Sequence, residues 1–404
     1  MMSTERCLVA VLLTFAAAGV ALAQDPSMPA QMHMTEGAAP AWTWTTDGSV
    51  FFGYNYQQRE FTDFSAWESQ NWFMLAGRRP FGRGIFSFDA MLSLEPFTLD
   101  KVGSPQVFQT GETYHGGPII DRQHPHDLVM GLGARFELPR GSVTYLFSAD
   151  AVGAPALGPT PFMHRASGRD NPQAPLIHHY SDSTHITPGV VTGGVRTGEV
   201  TLEASWFRGE EPNDNRLNID KPRFDSWSGR LGWANGPWRA QFSGGHLHQP
   251  EALELFDVTR LTASIEYDGQ LGSHPASATL LWGENREVHG ILDGYLFEWD
   301  LGIASHDALY GRAESAAKDL LDLGGPDPPG FIEFHRISHV QALTLGYVHD
   351  LSDRTWGRIG IGGDATIYHV PENLLEFYGS PRSFHVFVRY RPPARPDMRG
   401  MHMN

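Results

Sequence analysis

Long stretches of this chain change hydropathy with every residue. Val200, Leu202, Ala204 and Trp206 alternate with Thr201, Glu203 and Ser205. Leu261, Ala263, Ile265 and Tyr267 alternate with Thr262, Ser264, Glu266 and Asp268. The pattern returns in Phe297, Trp299, Leu301 and Ile303, and again in Phe384, Val386, Val388 and Tyr390. A period of two places each set on one face of a pleated strand, and a helix cannot satisfy it. The segments run about 10–14 residues, long for a soluble sheet and suited to a tilted membrane strand.

Sixteen such segments can be read, at roughly 48–61, 68–79, 84–97, 127–138, 142–153, 188–197, 199–210, 223–234, 237–248, 258–268, 276–285, 293–304, 307–318, 336–350, 355–369 and 383–392. Short links follow the second, fourth, sixth and eighth, at Pro80–Arg83, Pro139–Gly141, Gly198 and Asn235–Gly236. They also follow the tenth, twelfth and fourteenth. The other connections are mostly longer, and two, 99–126 and 154–187, are very long. Short turns at one end and long loops at the other are expected of a membrane barrel with an even strand number, and a sandwich has no reason to obey the rule. The fold class expected is therefore all-β: a single transmembrane antiparallel up-and-down β-barrel of about sixteen strands, within a range of fourteen to eighteen.

In such a barrel the apolar face meets lipid and the polar face lines the lumen. Trp206, Trp233, Tyr267, Trp282 and Tyr390 near strand ends fit interfacial girdles. Arg230, Arg312, Glu203, Glu266, Glu298 and Glu314 fall on the inward face, with Arg135, Arg196 and Arg389. There they either set a transverse field across a constriction or pair across strands. No segment after the N-terminus has the ~20 uninterrupted apolar residues of a membrane helix.

The N-terminus reads as a secretory signal peptide over 1–23, with a short charged start, an apolar run and Ala21-Leu22-Ala23 before the cut. Cys7, the only cysteine, lies within it, which rules out disulfides and thiolate chemistry in the mature chain. The remaining layout is an N-terminal periplasmic segment over 24–46, a barrel over 47–392 and a Pro-rich tail over 393–404. A net charge of −16 argues against nucleic acid as a partner.

The export signal, the hairpin asymmetry and the aromatic-rich last strand together resemble the porins of Gram-negative outer membranes. The resemblance covers the mature chain as a pattern, with no single motif, and the usual terminal aromatic is replaced by the tail after Tyr390. It implies an outer-membrane location among lipid, a homotrimer, a long loop folded into the lumen, and passage of a small polar solute or metal ion.

The 19 histidines are unevenly placed, with clusters in the two longest loops. His124, His126 and Asp127 lie in the first; His178, His179 and His185 in the second. Imidazoles one residue apart, or offered by adjacent loops, can converge on copper or zinc with a carboxylate beside them. The plainer alternative is hydrogen bonding within an ordered plug. Met32-His33-Met34 and Met401-His402-Met403 are a second metal-binding candidate, since thioether and imidazole suit cuprous copper; in composition they are similar to outer-membrane copper-resistance proteins. Their function would be metal tolerance. A third reading, an outer-membrane hydrolase, would pair His124 or His126 with Asp127, or His185 with Ser181 or Ser183.

Overall fold

The structure is a computed structural model that describes residues 41–253, 255–319 and 337–393. The expected signal peptide with Cys7 and both Met-His-Met segments lie outside the described residues.

The strands are β1 (Thr43–Gln57), β2 (Phe64–Glu68), β3 (Asn71–Phe81), β4 (Gly84–Leu92), β5 (Ser104–Tyr114), β6 (Gly117–Gln123), β7 (Val129–Arg140), β8 (Val143–Gly153), β9 (Thr187–Thr197), β10 (Val200–Phe207), β11 (Ser226–Asn235), β12 (Trp238–Leu247), β13 (Val258–Leu271), β14 (His274–Glu287), β15 (Gly290–Ala304), β16 (Asp307–Asp319), β17 (Ile337–Arg354), β18 (Gly357–His369) and β19 (Arg382–Arg391). Apart from the β5–β6 hairpin, all belong to one sheet. β1 pairs with β19 on one side and with both β2 and β3 on the other, so β2 and β3 are two halves of one wall strand. The result is a closed antiparallel barrel of sixteen strands. Closure leaves no edge, the condition a sheet must meet in lipid.

Several boundaries differ from the sequence expectation: the strand expected over 48–61 ends at Gln57, and the one expected over 336–350 runs on to Arg354. β1 begins at Thr43, four residues before the expected start of the barrel at 47. The second wall strand is interrupted at 69–70. β4 ends at Leu92, where 84–97 was expected, because Pro96 opens a short helix, α1 (Glu95–Thr98). Proline lacks the N–H that a continuing ladder needs and suits a first helical turn.

The apolar faces point outward. Leu280 is 56% exposed while its neighbour Thr279 is 2% exposed. Phe297 and Val386 follow Leu280; Glu298, Asp300 and Arg312 follow Thr279. This is the reverse of a water-soluble sandwich and the pattern of a lipid-facing wall. Near the turn end Trp238 stacks by Tyr267 at 4.8 Å and Trp356 by Tyr390 at 6.2 Å, as interfacial aromatics do.

Both long loops turn into the lumen. The first carries the β5–β6 hairpin; the second, 154–186, carries α2 (His178–Ser181) between two single 3-10 turns. Val107, Phe108, Leu176, Ile177 and Tyr180 from the loops pack on Leu281, Leu292, Leu296 and Val340 of the wall, forming an apolar core inside the barrel. Wall glycines make the approach possible: a Cβ at Gly283 would sit 2.4 Å from Tyr180 O, and one at Gly294 would sit 2.3 Å from Ile177 Cγ2.

If the outer face meets hydrocarbon, Leu280→Arg at mid-strand should lower stability in lipid vesicles by about 2–4 kcal/mol, while His274→Arg at the turn end should cost about 1 kcal/mol or less. Urea titrations of the two variants check the depth dependence; equal costs would contradict it.

Candidate functional site

The second loop is fastened by buried ion pairs. Arg165 Nη1 donates to Asp182 Oδ2 at 2.7 Å and its Nε to Glu298 Oε1 at 3.2 Å. Glu298 also accepts Arg312 Nε at 2.8 Å and Ser167 Oγ at 3.0 Å. Arg169 reaches Asp300 at 2.7 Å; Asp170 faces Arg389 and Arg391. The Leu176 N–H donates to Glu314 Oε1 at 2.6 Å, and Lys318 Nζ to Leu176 O at 3.2 Å. Burial opposes ionisation of Asp182, yet Arg165 and His178 hold its carboxyl well below the usual range.

The inward charges therefore do not form two opposed rows. Glu203 and Arg230 face each other in the β10–β11 register and pair at 2.9 Å; Glu298 and Arg312 do the same between β15 and β16. Glu314 binds loop backbone, and Glu266 lies 3.4 Å from Thr160 Oγ1. Of the two expectations for these charges, cross-strand pairing is seen at Glu203–Arg230 and Glu298–Arg312, and attachment of the plug is added to it.

Five of the six loop residues singled out for metal do gather. The rings of His126 and His185 lie 5.5 Å apart, His185 and His178 5.2 Å, His178 and His179 5.4 Å, His179 and His124 6.5 Å, and His124 and His126 6.3 Å. They make a closed ring, buried except at the half-buried His124. Asp127 is not part of it; its carboxylate faces Arg216 at 3.3 Å.

Four of the ring members are oriented from behind; His124 Nδ1 donates to Pro125 O at 3.0 Å. His126 Nδ1 donates to Glu95 Oε2 at 2.8 Å, His178 Nδ1 to Asp182 Oδ1 at 2.7 Å, and His185 Nδ1 to Asp182 O at 2.7 Å. An acceptor on Nδ1 fixes tautomer and ring plane, as it does for metal-ligating imidazoles. The Nε2 atoms of His126 and His185 have no hydrogen-bond partner among the described residues.

The charges split. Burial pushes His124 well below its usual value, helped by Arg216 and His126; burial does the same for His185, helped by His178 and His126. Burial also lowers His178 despite Asp182. These three are neutral at pH 7. Burial works against charge on His126 too, but Glu95 outweighs it and raises the imidazole, while His126 in turn holds the buried Glu95 below its usual range. His179 is pushed up to about 10, because Glu211 and Glu251 outweigh its burial.

His179 Nδ1 lies 3.6 Å from Glu211 Oε1 and 3.4 Å from Glu251 Oε1. Sequence reading missed both glutamates, and Glu95 as well. The serines proposed for a hydrolase are engaged elsewhere: Ser181 Oγ donates to Ile177 O at 2.9 Å, and Ser183 Oγ accepts Arg260 Nη1 at 2.9 Å. Neither is aligned on His185, whose Nδ1 is on Asp182 O.

Cavities border the ring. One of about 250 Å³ reaches from Asp47 and Arg391 near the turn end up to Glu95, His124 and His126. A smaller one of about 80 Å³ lies toward the loop end, against His179, Glu251 and Thr110.

No protein-family model matches the chain, and no curated protein sequence does. Solved structures do. Salmonella typhi OmpF, in complex with daunomycin, superposes with a TM-score of 0.53 at 8% identity, covering 86% of this chain and 97% of its own. Pseudomonas putida OprB, at high pH, gives 0.51 at 9% identity, covering 86% and 94%. At such identities the likeness is one of fold: this chain shares their barrel.

The Glu95–His126 pair has a defined pH window. The lowered Glu95 contributes above about pH 4.5 and is lost as pH falls further; the raised His126 contributes below about pH 6.5 and is lost as pH rises. The difference in thermal midpoint between wild type and Glu95→Gln in detergent should therefore be largest between about pH 4.5 and 6.5. A difference constant from pH 4 to 9 would contradict the pairing.

Proposed function

We propose that this protein is an outer-membrane channel of Gram-negative type, in which two in-folded loops narrow the lumen to a histidine-lined constriction for small polar solutes or metal cations. The observation that carries this reading is the position of the five-histidine ring between the 250 Å³ cavity and the 80 Å³ cavity. A solute moving through the barrel meets the neutral imidazoles of His124, His178 and His185, the last with its Nε2 bare, flanked by Glu95 and by Glu211 and Glu251. Such a lining replaces water around a cation and gives an anion few donors. The turn end would face the periplasm and the longer loops the outside, as in outer-membrane barrels generally.

The alternative of metal tolerance by sequestration uses the same ring with no conduction. It is separated from a channel by electrical measurement. In planar bilayers wild type should conduct in small, cation-favouring steps. Arg165→Leu leaves Asp182 buried without its guanidinium and Glu298 with Arg312 alone, a defect of about 3–5 kcal/mol, and should loosen the second loop. Its conductance should rise several-fold, and deletion of 160–180 should raise it further. A wild type that passes no current under any voltage would overturn the channel reading, as would equal conductance in all three proteins.

A further inference from the structure

We infer that His179, Glu211 and Glu251 form a zinc site at the loop end of the plug, binding one divalent ion per chain. The three donor atoms come from different loops and lie within 4.8 Å of one another. His179 follows from the second long loop; Glu211 follows β10 and Glu251 follows β12.

The spacing argues for an ion between them. At 3.6 and 3.4 Å, His179 Nδ1 is too far from Glu211 and Glu251 for good hydrogen bonds. Two ligands on one tetrahedral zinc, with bonds of about 2.0–2.2 Å, stand roughly 3.3–3.5 Å apart. The observed edges match that geometry and exceed the roughly 3.0 Å edge of octahedral magnesium.

The second observation is the state of the donors. The Glu211 side chain is 9% exposed and the His179 side chain 7% exposed. Neither Glu211 oxygen, nor His179 Nδ1, has a hydrogen-bond partner among the described residues. A buried carboxylate without a donor is costly, and a divalent cation satisfies both carboxylates and the imidazole together. The buried Arg260 faces both carboxylates as a charge but gives its hydrogen bonds elsewhere, Nε to Asn285 Oδ1 and Nη1 to Ser183 Oγ, both at 2.9 Å. Gly111 keeps the approach clear: a Cβ there would stand 2.8 Å from His179 Nδ1. The adjoining cavity of about 80 Å³ has room for a water as fourth ligand. Asn285 Nδ2, donating to His179 O at 3.3 Å, ties this helix to the wall.

One imidazole and two carboxylates suit zinc better than cuprous copper, which prefers thioether and thiolate. The site is separate from the bare Nε2 atoms of His126 and His185, and it stands whether or not the lumen conducts.

The test uses the full-length protein folded in detergent, stripped with chelator and titrated with Zn²⁺ against a chromophoric competitor. Wild type should bind one ion. Glu211→Gln, which keeps size and shape, and His179→Ala should each weaken binding at least about 100-fold, beyond the 10–100-fold typical of losing an outer-shell partner. His126→Ala/His185→Ala should bind as wild type does. Retained heat-modifiable migration on gels establishes that each variant is folded. Absence of binding in wild type would overturn the site and leave a protonated His179 between two carboxylates. Loss in the His126/His185 variant with retention in Glu211→Gln would overturn it in favour of the ring.

Discussion

Everything in this molecule follows from the closing ladder between β1 and β19. A sheet in lipid cannot leave N–H and C=O groups unpaired, so sixteen hairpin-linked strands must meet end to end. Closure then sets the sense of every side chain. The even positions of a strand such as β14 face hydrocarbon, and the odd positions face a lumen wide enough at sixteen strands to need filling or to hold water. It also fixes which loops share an end, and so which loops can touch.

The lumen wall is charged, and the loops that enter it must answer that charge. Arg165, Arg169 and Asp170 meet Glu298, Asp300, Arg389 and Arg391 in pairs whose carboxylates are buried. Such pairs add little net stability relative to apolar packing, but breaking one partner is expensive. They therefore act as registration: the second loop fits in one place. The apolar packing of Ile177 and Tyr180 against wall positions emptied by glycine supplies the contact area. The outcome is a rigid plug in which five imidazoles are brought within reach of one another, each with a fixed neighbour.

The wall was legible in the sequence because its signal is local and repeated. Alternation, turn glycines and loop asymmetry give strand number and direction from residues close in the chain. β4 was read too long because period two continues through residues that Pro96 removes from the ladder. The histidines were legible as candidates because they cluster within two segments. Their partners were not. Glu95 lies 31 residues from His126, and Glu298 lies 133 from Arg165. Glu211 and Glu251 sit in loops with no metal-binding spacing around them. The only available clue was that hairpin alternation puts those loops at the same end as His179. Inward apolar residues such as Leu292 and Leu296 were also illegible as core, since a polar lumen is the default until a loop is known to occupy it.

The central claim is that the second loop lies inside the barrel against β15. Cys7 is the chain's only cysteine and falls within the apolar N-terminal run, so probe thiols can be placed without interference. In Ile177→Cys/Gly294→Cys the two positions are near enough for a disulfide, the ideal Cβ of residue 294 lying 3.1 Å from the Cβ of residue 177. Mild oxidation of the folded, membrane-embedded variant should give a cross-linked species with altered gel mobility, and neither thiol should react with a bulky water-soluble maleimide beforehand. Two freely labelled thiols and no cross-link would contradict the plug, and with it the constriction built on it.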